Sequence, residues 1–298
     1  MRWFLIPLVL LWQTCVWGAP QVAVTLKPIH SLVAGIMEGV ATPTLLLPDG
    51  ASPHTFQLKP STLLALNKAE LIVWVGPNLE TFMQKPLSSL HPRFGRINLM
   101  EIPGIQKLPQ RHTREWQHAD ESHEHNHETY DPHIWLSVKN AEIIVHYITD
   151  YLANIDPLHR EQYRENEKKM QQRLETLRAR LHQELTPVQT KPFLVYHDGY
   201  QYLEKEFALN SKGTMITNPH VPLSAHGLQA IQKLIASQNI HCVFRETEFN
   251  DTVILNSLSH WKVKVAELDP LGNKIPAGPE NYEKTMLKIG ETLEGCLQ

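Results

Sequence analysis

The sequence predicts an α/β protein: two doubly wound α/β lobes joined by one long backbone helix, with a candidate metal site in the cleft between the lobes. Three observations predict it. Short apolar runs alternate with helical stretches in both halves of the chain, as expected for parallel strands covered on both faces. A stripe of Met170, Leu174, Leu177, Leu181 and Leu185, at spacings of three or four, marks one helix over 161–185 between the halves. Histidines stand in turns just after apolar runs, where open α/β sheets carry their ligands.

Residues 1–18 read as a secretory signal. Met1-Arg2 gives a short positive start, and 3–12 is an apolar run too short to span a bilayer, which takes roughly 20 residues. Gly18 and Ala19 offer a cleavage site. The residues before Cys15 are bulky or polar (Trp12-Gln13-Thr14), which argues against a lipid-anchored cysteine. The mature chain is therefore expected to be soluble and exported. A formal net charge of −3 gives no reason to look for nucleic acid as a partner.

The first lobe is expected over 19–155. A strand at 21–26 is followed by a helix at 28–36, with Pro28 in its first turn. A second strand at 44–47 ends in Pro48-Asp49-Gly50. A helix at 61–68 starts behind Pro60, with Ser61 as its cap. The run 71–76 is apolar throughout and ends in Gly76, which suits a buried parallel strand, and 78–87 reads as the next helix. From about 106 to 130 the chain turns polar and rich in His and acids, and reads as a mobile surface loop. A helix follows at 138–155.

The linker helix is expected over 156–186. Its core, 25 residues long, would extend about 37 Å, the height of two lobes. Packing along its own protein is expected rather than a coiled-coil dimer, so the chain is read as a monomer. The second lobe, 187–298, carries strands at 193–196, 241–244 and 263–268 and helices at 200–207, 225–238, 252–261 and 281–297. Loss of the signal leaves Cys242 and Cys296. They can form one disulfide in an oxidising compartment or remain two buried thiols.

The candidate ligands follow from the strand ends. His54 follows the strand at 44–47, His133 lies in Asp131-Pro132-His133, and His197 ends the strand at 193–196. Asp269 ends the strand at 263–268. They are too far apart in sequence for a local finger and can meet only if the fold converges their loops. Imidazole nitrogen suits Zn²⁺, and also copper or nickel, whereas Mn²⁺ would want more oxygen ligands. On the residues alone each histidine can equally be a surface or hydrogen-bonded residue, and Asp269 a turn cap. Of the 17 histidines, His112, His118, His123, His125 and His127 fall in the polar loop among acids, a tract suited to weak metal collection or simply to solvation. There is no His-Glu-x-x-His, Walker or Gly-x-Ser-x-Gly motif.

Five segments, in order, resemble a known family. They are Gly50-Ala51-Ser52-Pro53-His54-Thr55-Phe56-Gln57-Leu58-Lys59-Pro60-Ser61, Ala69-Glu70-Leu71-Ile72-Val73-Trp74-Val75-Gly76-Pro77-Asn78-Leu79-Glu80, Asp131-Pro132-His133-Ile134-Trp135-Leu136-Ser137, Tyr196-His197-Asp198-Gly199-Tyr200 and Leu268-Asp269-Pro270-Leu271-Gly272. The chain is similar here to the periplasmic zinc-binding proteins of bacterial ABC importers. The resemblance implies Zn²⁺ held between the lobes by His54, His133 and His197, a charged His-rich loop beside the cleft, and a disulfide between Cys242 and Cys296. It also implies a membrane permease and its ATPase as partners. Some zinc members carry a glutamate just before the first histidine; Pro53 stands there in this chain. The fourth position then goes to Asp269, to water or to a loop histidine. A zinc hydrolase and a metal-binding surface adhesin are the competing functions, with no obvious general base for the first, Glu246 and Asp198 being its candidates, and a poor lipidation motif against the second.

Overall fold

The computed structural model describes residues 18–111, 114–115, 129–216, 223–246, 249, 256, 258 and 261–298. The signal segment up to 17, the loop histidines and most of the helix expected at 252–261 lie outside the described residues.

Two four-stranded sheets, parallel throughout, carry the fold. The first contains β1 (Val22–Val24), β2 (Thr44–Leu45), β3 (Leu71–Trp74) and β4 (Arg96–Asn98) in the order β2-β1-β3-β4. The second contains β5 (Phe193–Val195), β6 (Ser211–Thr214), β7 (Cys242–Glu246) and β8 (Lys264–Leu268) in the order β6-β5-β7-β8. The two windings are the same. In each, the chain leaves the first strand to one side and returns on the other, so the crevice lies between β1 and β3 and between β5 and β7.

Strand periodicity explains the layering. Val22 and Val24 point to one apolar cluster and Ala23 to another; Phe193 and Val195 join the first, Leu194 and Tyr196 a third. The outer cluster of the first sheet is covered by α2 (Pro60–Lys68) and α3 (Thr81–Ser89) through Leu66, Met83 and Leu87. That of the second sheet is covered by α7 (Ala225–Ser237) through Ile231 and Leu234.

The inner cluster is shared. It runs from β1 and β3 through α1 (Lys27–Ile36), α4 (Val138–Ile155) and α5 (Arg160–Leu185) to α6 (Gln201–Phe207), α8 (Asn281–Leu297), β5 and β7. The 26-residue α5 buries Tyr163, Asn166, Met170, Leu174, Leu177, Leu181 and Leu185, the stripe expected from the sequence extended by a turn. Asn166 Nδ2 donates to the carbonyls of Ile36 and Glu38 and closes the end of α1. The helix is thus a spine packed on both sides. Cys242 and Cys296 are joined in a disulfide with Cα atoms 6.0 Å apart, tying the last turn of α8 to β7. Closing about 55 residues contributes roughly 4 kcal/mol in the loop-entropy account.

Strands β4 and β6 were not expected. Both are edge strands, Arg-Ile-Asn and Ser-Lys-Gly-Thr, with little apolar signal to mark them. The segment expected as one mobile loop from 106 to 130 has paired arms. Pro109 and Tyr130 form an antiparallel bridge, Gln110 N donates to Thr129 O, and Asp131 N donates to Leu108 O. Further along, Arg114 O accepts from Thr214 N at 2.9 Å, so that arm lies along the open edge of β6.

Candidate metal centre

His197 and Glu246 stand two residues beyond the paired positions Val195 and Phe244 on neighbouring strands, at the crevice of the second sheet. A shift of two keeps both on the same face of the sheet. Glu246 Oε1 accordingly meets His197 Nδ1 at 2.6 Å, and Glu246 is fully buried. Gly199 folds back under the ring: a Cβ there would lie 2.8 Å from His197 Nε2 and 3.4 Å from His133 Cδ2. Any side chain at 199 would fill the space the imidazoles face.

His133 is set by a local turn. Asp131 Oδ1 accepts from His133 N at 2.9 Å and from His133 Nδ1 at 2.7 Å, which locks backbone and ring with one buried oxygen. Tyr202 OH donates to Asp131 O, and Trp135 Nε1 donates to Pro270 O of the other lobe. His54 lies on the turn beyond β2, half-buried, with its backbone N donating to Ser52 Oγ at 3.4 Å.

These turns bring three rings into a near-equilateral triangle, with centroid separations of 5.3, 5.4 and 5.1 Å. His133 Nε2 is 3.3 Å from His54 Nε2 and 3.2 Å from His197 Nε2. A carboxylate can only accept, so the neutral rings of His133 and His197 carry their proton on Nδ1 and a lone pair on Nε2. Lone pairs at that spacing repel unless a cation lies among them. Tetrahedral zinc with bonds of 2.0–2.1 Å would set its nitrogens roughly 3.3 Å apart. The observed spacing fits that ion. Among the described residues this is the one grouping of metal-ligating side chains, with all ligand atoms within 4.8 Å.

Charge fits too. Asp131 Oδ2 and Glu246 Oε2 are buried without a hydrogen-bond partner, so two carboxylates press on the rings from behind. A divalent cation in front offsets both, an arrangement that also raises the basicity of the ligands. Beside His197, Arg111 grips both oxygens of Asp198 and reaches Glu204 Oε2 at 2.8 Å. Burial pushes the Asp198 carboxyl up, and that of Glu204 up to about 7, each against the pull of Arg111.

Asp269, expected as a possible fourth ligand, stands outside the cluster. Its Oδ1 accepts from Leu271 N and Asn273 Nδ2, and its Oδ2 from Lys274 N. Three of its roughly four acceptor sites serve its own turn. The braces Glu246 and Asp131 were not singled out as such from the sequence. Asp-x-His is a readable signal for the second; Glu246 becomes visible only once β5 and β7 are neighbours.

A family model for the zinc-uptake complex component A, periplasmic, matches residues 22–296. The high-affinity zinc uptake system protein ZnuA of Brucella abortus (strain 2308) is 33% identical over 308 residues, covering 93% of this chain and 91% of that protein. Its namesake from Yersinia pestis is 30% identical over 297 residues, covering 94% and 92%. A crystal structure of ZnuA superposes with a TM-score of 0.80 at 25% identity, over 94% of this chain and 100% of that one. The periplasmic zinc binding protein TroA from Treponema pallidum gives 0.78 at 22% identity, over 94% and 99%, a likeness of fold.

Fold and site together define a two-lobed solute-binding protein with a cluster of three histidines that could hold a metal ion. The chain belongs to the family of periplasmic zinc-uptake components, the ZnuA family.

Proposed function

We propose that this chain captures Zn²⁺ in the periplasm on His54, His133 and His197 and delivers it to the permease of an ABC zinc importer, whose ATPase drives uptake. The observation that carries the reading is the convergence of three Nε2 atoms at 3.2–3.3 Å spacing around His133. The fourth position is left to water, since Asp269 is engaged elsewhere. The protein acts as a monomeric carrier, exported by a cleaved signal over residues 1–18. It is not a hydrolase in this reading: the carboxylates beside the rings receive the Nδ1 protons of the ligands, which makes them braces rather than a general base. His112, His118, His123, His125 and His127 supply weaker collecting sites.

Titration of the metal-free protein with Zn²⁺ tests this. One tight site and additional weaker ones are expected, and deletion of 116–128, which carries four of the five loop histidines, should remove weaker sites and leave the tight one. Loss of the tight site on that deletion would overturn the division of roles. Failure to bind Zn²⁺ more tightly than Mn²⁺ would overturn the assignment of cargo.

A further inference from the structure

The turn that holds Asp269 reaches across to the loop that carries His54. Asp269 Oδ1 accepts from Asn273 Nδ2 at 3.1 Å, which fixes the orientation of the Asn273 amide. Its other end, Asn273 Oδ1, then accepts from Gly50 N at 2.9 Å. Gly50 has φ of +76°, the left-handed turn that redirects the chain from β2 toward Ser52 and His54. The same turn is held from the first lobe by Lys27. Its buried Nζ donates to the carbonyls of Gly272, Asn273 and Ile275 at 3.3, 3.2 and 3.1 Å and is paired with Asp49, the residue before Gly50. A buried ammonium at the first turn of α1 is disfavoured by the helix dipole, so these carbonyls are what keep it there.

We infer that Asn273, oriented by Asp269, is a positioning residue for zinc: it braces the His54 loop across the lobes through Gly50 N. Zinc affinity therefore depends on Asp269 through the amide of Asn273 and not through a metal bond. The inference rests on the proposed role of His54 as a ligand and adds a specific cross-lobe contact to it. His133 and His197 are braced through side chains at Nδ1. The His54 segment is braced through its backbone by the opposite lobe. Loss of such a support typically costs 10–100-fold in metal affinity.

The test is a set of three variants in the full chain: Asn273→Ala, Asp269→Ala and the double variant Asp269→Ala/Asn273→Ala. Zinc affinity is measured by competition with a chelator. Asn273→Ala and Asp269→Ala should each weaken binding about tenfold. The double variant should be no worse than either single one, because both break one chain of contacts. The d–d spectrum of Co²⁺ placed in the site should be the same in wild type and Asp269→Ala. A changed spectrum or additive losses would make Asp269 a ligand and overturn the inference. Amide exchange in the metal-free proteins supplies a readout independent of zinc. Residues 50–56 should lose protection in Asn273→Ala, and unchanged protection there would equally overturn it. If wild-type protein takes up no zinc, the functional reading fails, while the exchange result still decides the bracing.

Discussion

Two of the three imidazoles are built differently from the third. His133 and His197 are 4% and 5% exposed, and each pushes its Nδ1 proton against a buried carboxylate. His54 is half-buried on a turn, and its segment is steadied through backbone contacts to Ser52 and Asn273. The contrast suggests a division of labour. In the proposed role the buried pair is preorganised, with Nε2 atoms 3.2 Å apart, while the outer ring is the one an arriving ion would meet from solvent. A carrier has to release its cargo as well as hold it, and a site with one accessible ligand allows stepwise loss.

Substitution of the rings gives the largest effects. His133→Ala should weaken zinc binding on the order of a thousandfold, about 4 kcal/mol, because His133 is a buried ring already set by Asp131. It should also lower the melting temperature of the metal-free protein, since buried Asp131 loses the ring N–H and keeps only the backbone N–H of residue 133. His54→Ala should cost less, roughly a hundredfold, with little change in metal-free stability, because water can enter a half-exposed position. Chelator competition and thermal unfolding check both. Equal losses from the two variants would break the contrast.

The braces come next. Glu246→Gln and Asp131→Asn should each lower zinc affinity 10–100-fold while preserving the fold, the usual effect of losing the carboxylate behind a ligating imidazole. No change in either would mean that the rings are held by packing alone.

How far the sequence could be read follows the same division. The sequence sets His54 and His197 in turns just beyond strands, which a parallel sheet sends to one edge, whereas His133 follows no sheet strand and stood out through its Asp131-Pro132-His133 segment. Asp269 also follows a strand and was grouped with them on that account, yet it lies outside the histidine cluster. What separates it is the set of donors within five residues, Leu271 N, Asn273 Nδ2 and Lys274 N, which consume its oxygens locally. Glu246, considered as a general base, was not seen as a brace because its partner is 49 residues away and only the pairing of β5 with β7 joins them. The interior strands announced themselves through unbroken apolar runs such as Leu71–Trp74. The edge strands β4 and β6, polar and short, did not.

Acidification sharpens the contrast further. An imidazole must be neutral to ligate, so protons compete with zinc and affinity falls as pH falls through the range where histidine ordinarily titrates. A drop from pH 7 to pH 6 should weaken binding roughly tenfold or more. The slope of log Kd against pH counts the protons displaced. A slope near one throughout would mean that a single ring, the exposed His54, carries the competition. A slope rising toward three would bring in the buried pair. A Kd unchanged down to pH 5 would contradict imidazole ligation altogether.

The smallest effect concerns a second pair of carboxyls, one in each lobe. Glu204 and Glu80 are both pushed up to about 7 by burial. Glu204 has Arg111 beside it, whereas Glu80, beyond β3, is held by neutral groups, its Oε2 accepting from Gly76 N at 2.8 Å and the Thr25 hydroxyl also bonding to it. A carboxyl that keeps its proton to about 7 in the fold but loses it near 4.5 in the unfolded chain opposes folding once ionised. Its stabilising contribution is complete below about 4.5 and is lost as pH rises to about 7. Gln at position 80 still offers an oxygen to Gly76 N and never ionises. Glu80→Gln should therefore match the parent in melting temperature at pH 4.5 and exceed it at pH 8. Glu204 stands at about 7 even with Arg111 drawing it down, so the same exchange there should gain on its parent between pH 4.5 and pH 8 in the same direction. Opposite pH profiles for the two variants would show that the ion pair with Arg111 outweighs the burial of Glu204.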